Sequence, residues 1–499
     1  MENQSLPTGI PPFLLVVFGG TGDLTKRKLV PAFVRLLQDG AIRDGAALVA
    51  VGRRNYTDEA FRNDLAAFLR TAGEPADLER FEACRAAIHY RTLDFLADTA
   101  GFPALEASLA SLEKDLGISG APSAGRLYYL AVAPDAFVPV VRGLHANGML
   151  EEAAGYRRVV AEKPFGSDLA SARTLQEALV GMVPEHRLYR IDHYLGKEMI
   201  RSLLGLRFAN RVFEPLWNGA NIDHVRISAC ETDGIGTRAG YYESSGALKD
   251  MLQSHLLQML ALVAMEPPNS LSPDAIRDAK VATLRTVRPW IGADGRPGFV
   301  RGQYAAGVAN GRAVPAYRAE AGVAPDSDTE TFVALKVRVE SSRWVGVPFY
   351  LRAGKRLDRK GTRIEIAFKA PATGDRYPEL AKAVPDRLVV TVQPNEGFFF
   401  EVNTLSPVRG FRTERVRMDY CQSIRYGVNT PQAYERLLAD AALGSTALFV
   451  RWDELETAWA FVDALGSPAL EPYPAGSCGP DTALRLLEDD GRAWDENGG

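Results

Sequence analysis

The sequence predicts two different halves: an α/β half built on a parallel sheet, then an α+β half built on an antiparallel one. Three observations carry this. Short, wholly apolar runs alternate with helically spaced runs through residues 13–164. From 224 to 394 the apolar runs instead alternate with polar residues and have less regular helix between them. The pattern changes within 185–200, which divides the chain into residues 1–190 and 191–499.

The first run, FLLVVFGG (13–20), reads as a buried strand ending in glycines. Over 26–38 Leu29, Ala32, Phe33, Leu36 and Leu37 recur at helical spacing. AALVAVG (46–52) is a second strand, and 58–71 a second amphipathic helix with Thr57 placed to cap it. RLYYLAVAP (126–134) and RRVVAEKP (157–164) are further strands. Strand–helix–strand alternation implies parallel pairing with helices on both faces. In the second half HVRISACET (224–232), FVALKVRVE (332–340), VPFYLRAG (347–354), TRIEIAFK (362–369) and RLVVTVQP (387–394) read as strands. Several have one wet face, as antiparallel sheets do. One long helix is expected over 246–265, and the tail DENGG is expected to fray.

Bulk properties narrow the function. The chain has 499 residues, 46% of them apolar and 24% charged, so it can build ordinary cores without disulfides or metal. A net charge of -4 argues against a broad nucleic-acid surface and leaves room for a local basic pocket. Cys84, Cys230, Cys421 and Cys478 form no Cys-x-x-Cys pair, and none lies near a histidine at zinc spacing. They read as reduced thiols of a cytoplasmic protein with no metal site. MENQSLPTGIPP at the N-terminus lacks the basic and apolar regions of a signal peptide. The longest later apolar stretch, 256–265, is too short to cross a membrane.

The first strand runs into Gly19, Gly20, Thr21, Gly22, Asp23 and Leu24, then a helix. A strand, a glycine turn and a helix N-terminus form an anion site, because backbone N–H groups and the helix dipole face the ligand. The spacing is Gly-x-x-Gly rather than Gly-x-Gly-x-x-Gly, so a plain tight turn is the alternative. Strand two ends in Gly52, Arg53 and Arg54, with no acid. An acid there suits the ribose hydroxyls of NAD, and an arginine suits the 2′-phosphate of NADP. The expected cofactor is NADP, with Arg53 as the contact and NAD as second choice. Two solvated surface arginines are the alternative.

Three segments resemble glucose-6-phosphate dehydrogenases: GGTGDLTKRKLVPA (19–32), RIDHYLGKE (190–198) and GALKDMLQSHLLQ (246–258). EKPFG (162–166), RAGK (352–355), AYERLL (433–438), TALFVRWDELETAW (446–459) and YPAGSCGP (473–480) fit too, so the resemblance spans almost the whole chain. It implies a Rossmann-type N-terminal domain and a C-terminal α+β domain with a large, mostly antiparallel sheet. It also implies a homo-oligomer, a dimer or tetramer joined through that sheet. Thr25 stands where many members have Ala, and Ser254 where many have Asn.

Oxidising a sugar hemiacetal at C1 needs a base for the hydroxyl proton and an acceptor for the hydride. Histidine suits the first task near neutral pH, and a carboxylate partner would hold its tautomer. The nicotinamide takes the hydride, and no metal is required. Of the six histidines, His193 and His255 stand inside the specific motifs. A histidine in an apolar helix is, on chemistry alone, more often a core residue. The resemblance instead implies that His255 is the general base and Asp192 the carboxylate that orients it. It also implies that His193, Tyr194 and Lys197 hold the phosphate, and that Glu231, Asp250, Lys355 and Lys360 bind substrate. Lys163 lies where the family approaches both cofactor and substrate, beside a Pro164 bond that is often cis.

If 190–198 is helical, His193, Tyr194 and Lys197 share a face. On an ideal α-helix Asp250 and His255 would point about 140° apart. The rival enzyme reading is another sugar oxidoreductase carrying EKP, and the rival from another class is a non-catalytic nucleotide sensor. The first would not be expected to carry RIDHYLGKE, and the second predicts a damaged catalytic set.

Overall fold

The computed structural model describes residues 9–494 except 74, 98, 122–123, 154, 293–294, 296, 372–376, 378–379, 381–382, 409–411 and 423–432. The tail 495–499, expected to fray, lies outside the described residues. The chain forms two compact units. One comprises Met1–Gly196, Ser272–Arg277 and Thr430–Asp453; the other comprises Lys197–Leu271, Asp278–Asn429 and Glu454–Gly499.

The first unit is a doubly wound parallel sheet. Its strands are β1 (Phe13–Phe18), β2 (Ala47–Gly52), β3 (Ile88–Thr92), β4 (Gly125–Leu130), β5 (Tyr156–Ala161) and β6 (Leu188–Arg190). They lie in the order β3-β2-β1-β4-β5-β6, every pair parallel. Helices cover both faces, so β1, β2 and β4 are buried along their whole length, which is why they read as unbroken apolar runs. Thr57 caps the helix Asp58–Ala72 by accepting the Ala60 N–H, as its sequence predicts. The strand order reverses between β1 and β4, and ligands of such sheets bind outside the strand ends at that point. The helix Ala433–Leu443 returns from far along the chain to this unit. Leu437, Leu438 and Ala441 join the core of Phe13, Phe33 and Tyr129, and Glu435 pairs with Arg35 at 2.8 Å.

The second unit holds a ten-stranded sheet. Its strands are β7 (Ile222–Cys230), β8 (Val287–Pro289), β9 (Phe299–Ala305), β12 (Phe332–Val339), β13 (Pro348–Gly354), β14 (Gly361–Phe368), β15 (Arg387–Gln393), β16 (Gly397–Leu405), β17 (Thr413–Cys421) and β18 (Leu470–Pro474). A small hairpin of β10 (Gly307–Ala309) and β11 (Arg312–Val314) stands apart. The order is β17-β16-β15-β14-β7-β13-β12-β9-β18, with β8 also on β12. Pairing is antiparallel except β7 with β13 and β9 with β18. All five strands expected from sequence in this half are present.

The helix expected over 246–265 differs in two respects. Gly246 adopts φ 60°, ψ -177° and interrupts it, so the continuous helix begins at Leu248. Its first part, Leu248–Leu256, closes each turn i→i+5 rather than i→i+4, and Leu257–Ala264 continues as α-helix. Spacing of apolar residues cannot reveal this, because nearly every side chain over 255–265 is buried. The helix packs on β7, β12 and β13.

Candidate active site

In the first unit the glycine turn closes β1 against its neighbours. The Gly19 and Gly20 N–H groups both donate to the Val51 carbonyl, at 3.1 and 2.9 Å. Gly19 has φ +88°, and a Cβ there would meet the Ala131 carbonyl oxygen at 2.2 Å. A Cβ on Gly20 would lie 2.5 Å from that of Ala50. Only glycine lets the turn sit this close to β2 and β4, leaving backbone rather than side chains at the strand ends, which suits a dinucleotide pyrophosphate. Thr25, fully buried, donates its hydroxyl to the Gly19 carbonyl at 3.0 Å and ties the following helix to the turn. Asp23 is exposed and pairs with Arg27 at 2.6 Å.

Arg53 and Arg54 follow β2 and are both exposed. The Arg54 backbone carbonyl is held by the Tyr90 and Thr92 hydroxyls, at 2.9 and 3.2 Å. The nearest following acid, Asp58, accepts from the Tyr90 N–H, from Arg91 and from His89, so it is committed to β3. Arg53 is therefore an exposed cation just past the end of β2, with the nearest following acid engaged elsewhere.

Lys163 follows β5, and its bond to Pro164 is cis. The preceding Glu162 is buried and accepts the Tyr129 hydroxyl at 2.6 Å and that of Tyr434 at 3.3 Å. Burial pushes its carboxyl up despite both donors. Asp192 is 1% exposed and accepts the Tyr194 N–H at 2.9 Å. That bond starts a turn over 193–196, so this stretch is not helical. The expectation of a shared helical face for His193, Tyr194 and Lys197 therefore fails: an aspartate that bonds the backbone two residues on competes with helix. The His193 and Tyr194 rings lie 5.0 Å apart.

In the second unit Lys197 is the N-cap of the helix Glu198–Phe208. A cation at that end opposes the helix dipole, and both the cation and the dipole favour an anion there. Lys197 also attracts Glu396, whose carboxyl burial holds above its usual range. The parallel pairing of β7 with β13 sets Cys230 opposite Gly354, so the next residues, Glu231 and Lys355, are neighbours. They form an ion pair at 2.7 Å. The Lys355 ammonium lies 5.3 Å from the Tyr242 ring centre, and its carbonyl accepts the buried Tyr473 hydroxyl at 2.7 Å. Lys360 pairs with Asp233 at 3.0 Å on the exposed rim.

Asp250 and His255 are 8% and 0% exposed. The i→i+5 turns correct the expected angle between them: residues five apart stack on one face instead of diverging. Tyr241 donates its hydroxyl to Asp250 Oδ1 at 2.9 Å. The Ser254 hydroxyl bonds the Asp250 carbonyl at 2.9 Å, so the serine is accommodated within the helix. Sequence reasoning missed Tyr241, Tyr473 and Asp233. No motif contains Tyr241 or Asp233, and Tyr473 heads the YPAGSCGP motif without any local sign of its bond to Lys355; these contacts become visible only once strand ends and the helix break are placed.

Family models match the chain in two parts. Residues 16–202 match the glucose-6-phosphate dehydrogenase NAD binding domain, and 204–495 match the C-terminal domain of the same enzyme. The glucose-6-phosphate 1-dehydrogenase of Bacillus subtilis (strain 168) is 40% identical over 490 residues, 97% of this chain and 98% of that one. That of Mycolicibacterium smegmatis is 39% identical over 497 residues, 98% of each. A glucose-6-phosphate dehydrogenase solved in complex with its substrate glucose-6-phosphate superposes with a TM-score of 0.86 at 33% identity, covering 99% of this chain and 100% of that one. The enzyme from Mycobacterium avium gives 0.82 at 32% identity, with 99% of each covered.

Proposed function

The chain belongs to the glucose-6-phosphate dehydrogenase family, and from that premise we propose that it oxidises glucose 6-phosphate at C1 to 6-phosphogluconolactone. The observation that carries this is the helix Leu248–Ala264, which sets Asp250 and His255 on one buried face.

His255 takes the proton of the C1 hydroxyl. Asp192, through the family motif, orients that imidazole and stabilises its protonated form. Asp250, held by Tyr241, and Glu231, held by Lys355, present carboxylate oxygens to sugar hydroxyls. His193, Tyr194 and Lys197 receive the 6-phosphate, with Lys355 and Lys360 as further cations of the substrate site. Bound NADP supplies the hydride acceptor. Gly19 to Leu24 hold its pyrophosphate, Arg53 its 2′-phosphate, and Lys163 approaches both cofactor and substrate. Arg53 with no free acid beside it favours NADP, with NAD as the alternative cofactor.

In this reading residues 1–190 form the cofactor domain and 191–499 the substrate and oligomerisation domain. The protein works as a cytoplasmic homodimer or homotetramer at the entry to the oxidative pentose phosphate pathway, without nucleic acid, membrane or metal. Among the described residues no helix is long and apolar enough to cross a membrane.

The test is nicotinamide reduction by purified protein with glucose 6-phosphate or unphosphorylated glucose, each with NADP and NAD. Rapid reduction that requires the phosphate supports the reading. Equal rates with glucose would remove the phosphate pocket, and no reduction by folded protein would reject the substrate.

A further inference from the structure

The helix bearing Asp250 and His255 is held at both ends by buried side chains. At the N-terminal end Gly246 breaks the chain direction with its φ of +60°. The Ala247 N–H then donates to the Glu330 carbonyl at 2.9 Å, and the Leu248 N–H to Glu330 Oε1 at 3.0 Å. The other carboxylate oxygen of Glu330 accepts Arg301 at 3.1 Å. A Cβ on residue 246 would lie 2.3 Å from Glu330 Oε1, so the glycine also makes room for the carboxylate. A negative group at this end meets the helix dipole favourably.

At the other end an α-helix leaves its last four carbonyls without helical partners. Here the Met265 N–H closes the final turn on Ala261, and the four carbonyls beyond it are all taken by side chains. Arg207 binds those of Leu262 and Met265 at 2.9 and 2.8 Å. Trp217 binds that of Val263 at 2.8 Å, and Trp344 that of Ala264 at 2.7 Å. All three side chains are fully buried or nearly so. Burial pulls the Arg207 guanidinium down to about 10, so the fold keeps a costly cation at this position.

Between these two anchors, turns that close i→i+5 are wider and shorter than α-turns. The separation of the ends therefore selects the geometry. A free segment would relax to the common α form, lengthen, and carry Asp250 and His255 about 140° apart. We propose that Glu330 at one end and Arg207, Trp217 and Trp344 at the other are positioning residues, fixing the helix length and so holding Asp250 and His255 on one face. This rests on the functional reading of those two residues given above.

The test compares Glu330→Ala and Trp344→Phe with the wild-type enzyme; the second removes one donor and keeps an aromatic ring. Both should lower kcat with glucose 6-phosphate by about 10²-fold, the scale of a misplaced reacting group, with the cofactor KM unchanged. Amide hydrogen exchange in peptides spanning 248–257 should quicken in both. Folded variants that keep kcat within twofold and exchange at the wild-type rate would overturn the proposal. If Glu330→Ala does not fold, Trp344→Phe decides alone. Wild-type turnover separates the two readings: a wild type inert toward glucose 6-phosphate rejects the substrate, and the exchange rates still decide the clamp.

Discussion

Replacing Arg53 with alanine separates the cofactors. The side chain is exposed at the end of β2, Arg54 is pinned through its carbonyl, and Asp58 is committed to β3. A hydrogen bond to a charged group contributes about 1.5–3 kcal/mol. Exposure places Arg53 at the low end of that range, and about 1.4 kcal/mol corresponds to tenfold. The expected loss in kcat/KM for NADP is therefore roughly 10- to 30-fold. NAD has no 2′-phosphate, so its kcat/KM should change by no more than an exposed substitution usually allows, about 0.5 kcal/mol or roughly twofold. Steady-state kinetics with each cofactor at saturating glucose 6-phosphate measure both numbers. Equal losses for the two cofactors, or no loss for NADP, would refute the assignment of Arg53.

Three further perturbations address other parts of the site. His255→Asn should lower kcat by about 10²–10⁴-fold with little change in substrate affinity, and near-full turnover would remove His255 as the base. Lys197→Ala should raise KM for glucose 6-phosphate far more than it lowers kcat; an unchanged KM excludes it from the phosphate site. Glu162→Gln tests a buried carboxyl. Its folded value is raised, so its favourable contribution is fully present below the ordinary value near 4.5 and is lost as pH rises through the raised one. The Tm of the glutamine variant relative to wild type should therefore climb between pH 4 and pH 8, and a constant offset would contradict the burial argument.

The two sheets were legible because their strands obey simple rules. FLLVVF is apolar throughout because helices cover both faces of β1, and β14 alternates because one of its faces meets water. The Asp58–Ala72 helix and its Thr57 cap were legible for the same local reason. The geometry between Tyr241 and Leu256 was not. Gly246 looks like an ordinary N-terminal helix residue until Glu330, distant in sequence, occupies the space where its Cβ would stand. The i→i+5 turns depend on anchors at both ends, which no local pattern encodes. A helical 190–198 would put His193, Tyr194 and Lys197 on one face, yet the Asp192 carboxylate makes 193–196 a turn. AYERLL (433–438) resembles the family, but nothing local tells that the helix Ala433–Leu443 it begins packs with the first unit.

The proposed reaction moves a hydride from C1 of glucose 6-phosphate to the nicotinamide. Glucose 6-phosphate carrying deuterium at C1 tests it directly, with the reduced nicotinamide analysed by mass spectrometry. One deuterium is expected in each reduced cofactor molecule. Reduced cofactor without the label would contradict it, because the hydride would then have come from elsewhere.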